Sequence, residues 1–306
     1  MDILVGTMVL RPYVFAFLAV FLLAGTVDLG WRRVLGFAGC VWPVAWLAEF
    51  SSTRTGIPFG LYTYTQLTRG RELFLADVPV MDSLSFTFLA YASFCLARVA
   101  LAGRAPSRPV TAVLAGALMM ALDVVIDPLA VRGDRWFLGN LFFYPEPGIY
   151  FGVPLSNFAG WVIVGTIGVG LYLGLVHRRA SAGGAPAPRR PAARTAWRAS
   201  AGGAPAPRRP AARTAWRVSA GGAPAPRWPA ARTTASSTSG GRAWPGVALY
   251  YGVLGFNLAM TILIGEWWLA AVGAAIHVAV ALVIVHFNRS PGVIALGPDR
   301  EGIQRA

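Results

Sequence analysis

The sequence contains no lysine; all 27 of its basic residues are arginine. Charge of either sign is scarce, at 13% of residues against the roughly 25% of a soluble domain. Cysteine is almost absent. Cys40 and Cys95 both fall in apolar stretches, which excludes a disulfide framework and a thiolate metal site. The three histidines, His177, His277 and His286, form no pair at ligand spacing, so no metal is expected. Acidic residues are missing altogether from Arg178 to Arg242, where thirteen arginines lie. The other 14 arginines face 13 acids, so the net charge of +14 belongs to one segment. A nucleic-acid-binding fold is thereby excluded as the source of the basic character.

What the chain has instead is apolar length. Hydrophobic residues make up 56% of 306 positions and the mean hydropathy is +0.55, a membrane composition. Seven stretches approach the roughly 20 residues that cross a bilayer. They are Tyr13–Leu29, Val34–Phe50, Pro79–Leu101, Pro109–Val131, Phe151–His177, Pro245–Gly265 and Trp267–Phe287. The expected fold class is all-α, a polytopic membrane helix bundle. The first stretch is read as a span rather than a cleaved signal, because Asp2 is the early charge and no good small-residue cleavage site follows. Arginine placement puts the N-terminus outside and the C-terminus in the cytoplasm, with 21 arginines inside against six outside.

The arginine-rich segment is an internal repeat. SAGGAPAPRRPAARTAWR begins at Ser181, recurs at Ser200 and starts again at Ser219, a period of 19 residues. Gly, Pro, Ala and Arg form no apolar face, so burial cannot offset the entropy of ordering. The expected organisation is a membrane bundle over 1–177, a disordered cytoplasmic linker over 178–244, a membrane hairpin over 245–289 and a flexible tail over 290–306.

The expected chemistry lies in carboxylates within the membrane. Ionisable residues there are costly and mark functional sites or partners. Span parity places Glu49, Asp123, Asp127 and Asn157 in one half of the membrane, beside the two loops Ser51–Val78 and Arg132–Tyr150. Asp82, at the start of the third span, lies on the same side. Asp123 and Asp127 are four apart and share a helix face. Two like charges so close in low dielectric do not both ionise, which leaves an acid beside a base. Asn157 and Trp161 also share a face. Tyr62 and Tyr64 point to one side if their loop is extended; they are read either as an interfacial aromatic belt or as a lining for an apolar or cationic species.

Three strings carry a family resemblance: WLAEFSSTRTGIPFGLYTYT from Trp46, ALDVVIDP from Ala121, and YFGVPLSNFAGW from Tyr150. Together they resemble the membrane carotenoid biosynthesis proteins, the group of the carotenoid 1′,2′-hydratases and the bisanhydrobacterioruberin hydratases. The resemblance covers about Trp46 to Trp161 well and the last two spans loosely. The repeat insert and Asp82-Ser83 depart from the family pattern.

The resemblance implies an integral protein of a bacterial or archaeal cell membrane that adds water to a carotenoid ψ-end. It implies no cofactor, an apolar carotenoid substrate such as lycopene or γ-carotene, and other enzymes of the pathway as candidate partners. Hydration of an isolated alkene begins with protonation. Asp123 is expected as the proton donor, Asp127 or Glu49 as the water-positioning base, and Tyr62, Tyr64 and Trp161 as the cation-stabilising wall. Asn157 and Asp82 complete the substrate site. Two other readings compete: a cyclising end-group enzyme, which shares the protonation step, and a proton-coupled transporter.

Overall fold

The computed structural model describes residues 2–183 and 241–289, with side chains over 2–178 and 242–289. The repeat insert from 184 to 240 and the tail from 290, expected to be a disordered linker and a flexible end, lie outside the described residues. Eight helices are seen: α1 (Ile3–Leu10), α2 (Pro12–Leu29), α3 (Trp31–Thr55), α4 (Val80–Ala100), α5 (Arg108–Ala130), α6 (Leu155–Gly183), α7 (Trp244–Leu263) and α8 (Trp267–Arg289). All but α1 are long and apolar enough to cross a membrane. Over the described residues the chain is a helix bundle with seven candidate membrane spans, as the apolar runs of the sequence predict.

Local chemistry sets the helix ends. Ser107 caps α5 by accepting from the Val110 amide, and Pro109 follows where a missing N–H costs nothing. Gly56 closes α3 in the left-handed region, at φ +77°. α3 runs beyond its expected limits of Val34–Phe50. The apolar pattern fades at Ser51, but Ser51 and Thr55 stay helical, with Thr55 Oγ1 donating to the Ser51 carbonyl at 2.9 Å. α1 has no counterpart among the expected spans, because its eight residues are too short to give a spanning signal.

α4 is the central helix: 78% of its most apolar window is buried, against 22% for α2 and α8. Helix packing in lipid rests on close van der Waals contact rather than on hydrophobic burial. Accordingly α5 and α6 meet through glycine. A Cβ added at Gly165 would lie 2.8 Å from the Gly116 Cα, so neither position accepts a side chain without moving a helix. Exposed Leu23, Val27, Leu35, Leu171 and Leu282 form part of the lipid-facing surface.

At one end of the bundle the two long connections meet. β1 (Thr63–Tyr64) pairs antiparallel with β4 (Phe142–Phe143), in register Thr63 with Phe143 and Tyr64 with Phe142. A second ribbon joins β2 (Phe74–Leu75) to β3 (Val78–Pro79). The turn between α7 and α8 reaches the same end, where Glu266 binds Arg132 and Arg135. A loop-to-loop strand pairing of Thr63 with Phe143 and Tyr64 with Phe142 therefore roofs one half of the bundle.

Candidate functional site

Beneath that roof lies a cavity bounded by α2, α3, α4, α5, α6, α7 and both loops. Three carboxyls line it: Glu49 from α3, Asp82 from α4 and Asp127 from α5. Glu49 is buried, while Asp82 and Asp127 are half-buried because the cavity exposes them. Tyr62, Tyr64, Asn157 and Trp161 are also on the wall. The structure thus brings seven of the eight residues singled out in the sequence to one cavity.

The eighth, Asp123, is fully buried and is not on the wall. It stands one helical turn behind Asp127. Asn157 Nδ2 donates to Asp123 Oδ2 at 2.6 Å, and Trp161 Nε1 donates to Asp127 Oδ2 at 3.3 Å. Two residues one turn apart on α6 thereby grip two carboxyls one turn apart on α5. The Asp123 and Asp127 side chains also meet each other. Asp123 Oδ1 has no hydrogen-bond donor among its neighbours, so that carboxyl-to-carboxyl contact is attractive only with a proton between the two.

The aromatic wall is built from both loops and four helices. Tyr62 and Tyr64 are both buried, with ring centroids 5.4 Å apart. Tyr62 also packs edge-on against Phe142 and Tyr144 at 5.5 and 5.9 Å. Across the cavity Phe86 stacks on Trp161 at 4.4 Å and 19°. Such pairs contribute about 0.5–1.5 kcal/mol each beyond the area they bury. Burial first, and then the neighbouring Glu49 carboxyl, pushes the Tyr62 and Tyr64 phenols well above their ordinary range. Burial and then Asp127 do the same to Tyr144. These hydroxyls therefore act as proton-bearing donors at any physiological pH. That of Tyr64 serves both Glu49 and Asp82.

Several contributors have no local signal in the sequence. Phe86 and Phe256 read as ordinary span residues, yet both line the cavity. Arg11 is 1% exposed and grips Glu72, with Nε to Oε2 and Nη2 to Oε1 both at 2.9 Å. Burial alone would loosen the Arg11 proton; the charge of Asp82 and the hydrogen bond to Glu72 outweigh it, and the guanidinium stays charged. Glu266, a turn residue by its position, is tied to Arg132 and Arg135 outside the cavity. Among the described residues no group of three His, Cys, Asp or Glu is placed to hold a metal ion.

No solved structure matches the chain. One curated relative is the bisanhydrobacterioruberin hydratase of Haloarcula japonica, 36% identical over 124 residues. That stretch is 40% of this chain and 39% of the relative, so the chain spans well under half of it. The family described as carotenoid biosynthesis protein matches residues 4–194, which takes in α1 to α6, both loops and every carboxyl of the cavity. This integral membrane protein belongs to the carotenoid biosynthesis protein family.

Proposed function

We propose that the protein is a carotenoid ψ-end hydratase, adding water across the terminal C1′–C2′ double bond of an apolar polyene such as lycopene or γ-carotene. One observation carries the reading: three carboxyls face an aromatic cavity inside a membrane bundle, and one of them is backed by a fourth. The name of the Haloarcula japonica relative supports the same reaction class.

The chemistry follows from the alkene. It carries no electrophilic carbon for water to attack, so a proton must come first. Protonation at C2′ forms the C2′–H bond and leaves the positive charge on tertiary C1′. Water bonds to C1′ and loses a proton, giving a tertiary alcohol. No electrons are gained or lost, so the reaction itself calls for no redox cofactor. The proton comes from the Asp123–Asp127 pair. Asp127 is the member on the wall and meets the alkene; Asp123 acts through it, with Asn157 and Trp161 fixing both. A positioned general acid contributes about 10²–10⁴ in rate. The π faces of Trp161, Phe86, Tyr62 and Tyr64 stabilise the cation, each contact supplying about 0.5–2 kcal/mol where water is excluded. Glu49 and Asp82 remain to position the water and take its proton.

The topology proposed with this mechanism has the N-terminus outside and the C-terminus in the cytoplasm. Spans within 1–177 carry the carboxyls, 178–244 links them to the hairpin 245–289, and 290–306 is a tail. Through Val253, Phe256 and Asn257 the hairpin also supplies wall. A C40 polyene is about as long as the roughly 30 Å hydrocarbon core is thick. It reaches the cavity from lipid with one end among the carboxyls.

Membranes containing the protein are incubated with lycopene and the product is weighed by mass spectrometry. Hydration adds the mass of one water per end. A product of unchanged mass is a cyclised carotenoid and overturns the hydratase reading, while no product at all removes the enzyme reading. Asp123→Asn should lower hydration clearly; a normal rate removes Asp123 from the acid pair.

A further inference from the structure

The cavity is too short for the whole of a carotenoid. On α4 its wall runs from Asp82 to Leu89, a rise of about 10 Å at 1.5 Å per residue. A C40 polyene is roughly as long as the hydrocarbon core is thick, about 30 Å. The bundle offers no room to extend inward. Just past Leu89, Tyr91 packs against Phe21 and Phe37 at 5.2 and 5.9 Å, and Phe37 packs against Tyr172 at 4.9 Å. These four rings are buried and none of them lines the cavity. At the other end the pairing of β1 with β4 closes the roof. Roughly two-thirds of the polyene must therefore leave the cavity sideways.

The wall is thinnest at the seam between α2 and α7. Tyr13 and Phe17 stand in the first two turns of α2, and Phe256 comes from α7. Tyr13 stacks on Phe256 at 5.4 Å and 15°. Phe17 meets Phe256 edge-on at 5.7 Å and Phe88 at 5.5 Å. All four rings line the cavity. Tyr13 and Phe256 also pack against Phe137, at 5.8 and 6.4 Å. Phe137 is not on the wall and is 56% exposed. One layer of rings thus separates the cavity from the exterior here. Elsewhere the wall is closed by buried groups: Glu49 on α3, Phe86 on α4, Asn157 and Trp161 on α6. A ring moves aside by rotating its side chain. Parting α5 from α6 would instead break the hydrogen bonds of Asn157 and Trp161 to Asp123 and Asp127.

We propose that this seam is a carotenoid-binding mouth. The ψ-end sits among the carboxyls, the rings of Tyr13, Phe17 and Phe256 clasp the polyene beside it, and the remaining length stays in lipid. The inference rests on the carotenoid substrate of the hydration reading. A flat conjugated chain and aromatic faces make dispersion contact without a polar group to desolvate. The three rings are remote from the reacting carbons, so they hold substrate and transition state alike. Their loss is expected in KM rather than in kcat.

The full-length protein in lipid vesicles is titrated with lycopene. Lycopene is achiral, so circular dichroism in its visible band reports the protein-bound fraction and gives a Kd that does not depend on turnover. Hydrated product is followed by mass spectrometry against the lycopene content of the membrane. Phe256→Ala and Tyr13→Ala should each raise Kd and KM by about tenfold. Phe256→Tyr keeps the ring and should restore most of the affinity. Leu171→Ala, at an exposed position of α6 that lines no part of the cavity, should bind as the wild type does.

An unchanged Kd in both alanine variants overturns the proposal, and so does a loss confined to kcat. Where the alanine variants fail to accumulate in membranes, Phe256→Leu carries the test: it must raise Kd, and an unchanged Kd overturns the proposal. If the wild type binds lycopene, the ring variants weaken that binding and no hydrated product forms, the mouth is supported and the hydration reading alone is overturned. A wild type that binds no lycopene overturns both.

Discussion

Asp82 and Arg98 stand near opposite ends of α4, about 24 Å apart at 1.5 Å per residue. At the Arg98 end a buried carboxyl is treated as a structural charge. Asp28 on α2 has a side chain 1% exposed, and its Oδ2 accepts from Arg98 Nη1 at 2.5 Å and from the Tyr91 hydroxyl at 3.3 Å. At the Asp82 end Glu49, Asp82, Asp123 and Asp127 crowd together, and none accepts a hydrogen bond from an arginine among the described residues. Both ends place carboxyls where charge is expensive. One end neutralises the charge and closes over it. The other leaves its carboxyls without an arginine and opens a cavity onto Glu49, Asp82 and Asp127. A carboxyl kept in lipid without a counter-ion is costly as structure alone, and its retention points to what it does with a proton.

Asp127→Asn tests the open end most severely. The substitution keeps the shape and an oxygen for Trp161 but removes the acid. Hydration should fall by about 10²–10⁴, while the variant accumulates in membranes and melts near the wild-type temperature. Activity near normal would mean that the open end, too, is structural, and the contrast would fail at its root.

Arg98→Met tests the closed end. Removing one partner of a buried pair leaves the other charge uncompensated, at a cost of about 3–5 kcal/mol. The expected result is a large drop in thermal stability in detergent, with the rate per folded molecule unchanged. A loss of rate at full stability would show that the two ends communicate, which nothing in the Asp28 cluster requires. The two variants should therefore fail in opposite ways, one stable and inactive, the other active and fragile.

The sequence speaks unevenly about these two ends. Seven spans are legible because each is an apolar run of the right length, and parity alone gathers Glu49, Asp82, Asp123, Asp127 and Asn157 on one side. The i, i+4 spacing on α5 and α6 predicts shared faces, and the structure joins those faces in two hydrogen bonds. That Asp123 is recessed while Asp127 meets the cavity is not legible. Both lie on one face, and the choice between them depends on how closely α6 packs on α5 through Gly116 and Gly165. The Arg11–Glu72 and Asp28–Arg98 pairs are equally silent. Their members are 61 and 70 positions apart, and no periodicity links residues at that range. The strand pairing of Tyr64 with Phe142 is another long-range event, although the aromatic richness of both loops is plain in the sequence. The repeat insert, the most conspicuous feature of the chain, lies outside the described residues.

A third kind of carboxylate sharpens the comparison with the smallest effect. Glu266, in the turn after α7, meets Arg132 Nε at 3.0 Å and also binds Arg135, and its side chain is 21% exposed. Burial would raise its pKa, but the hydrogen bond from Arg135 and the charge of Arg132 outweigh burial and hold it below the ordinary glutamate range. A carboxyl whose pKa is lower folded than unfolded adds stability above its unfolded pKa. That contribution disappears as pH falls through the folded value. Solvent screening keeps it small, so Glu266→Gln should cost only about 0.5 kcal/mol at neutral pH and low salt. The difference should vanish in strongly acid buffer and shrink in high salt, where Arg98→Met should remain as damaging as before. Thermal unfolding of both variants across pH and salt measures this. If Glu266→Gln proved as costly as Arg98→Met, burial would not be what separates the pairs, and the closed end of α4 would lose its claim to be special.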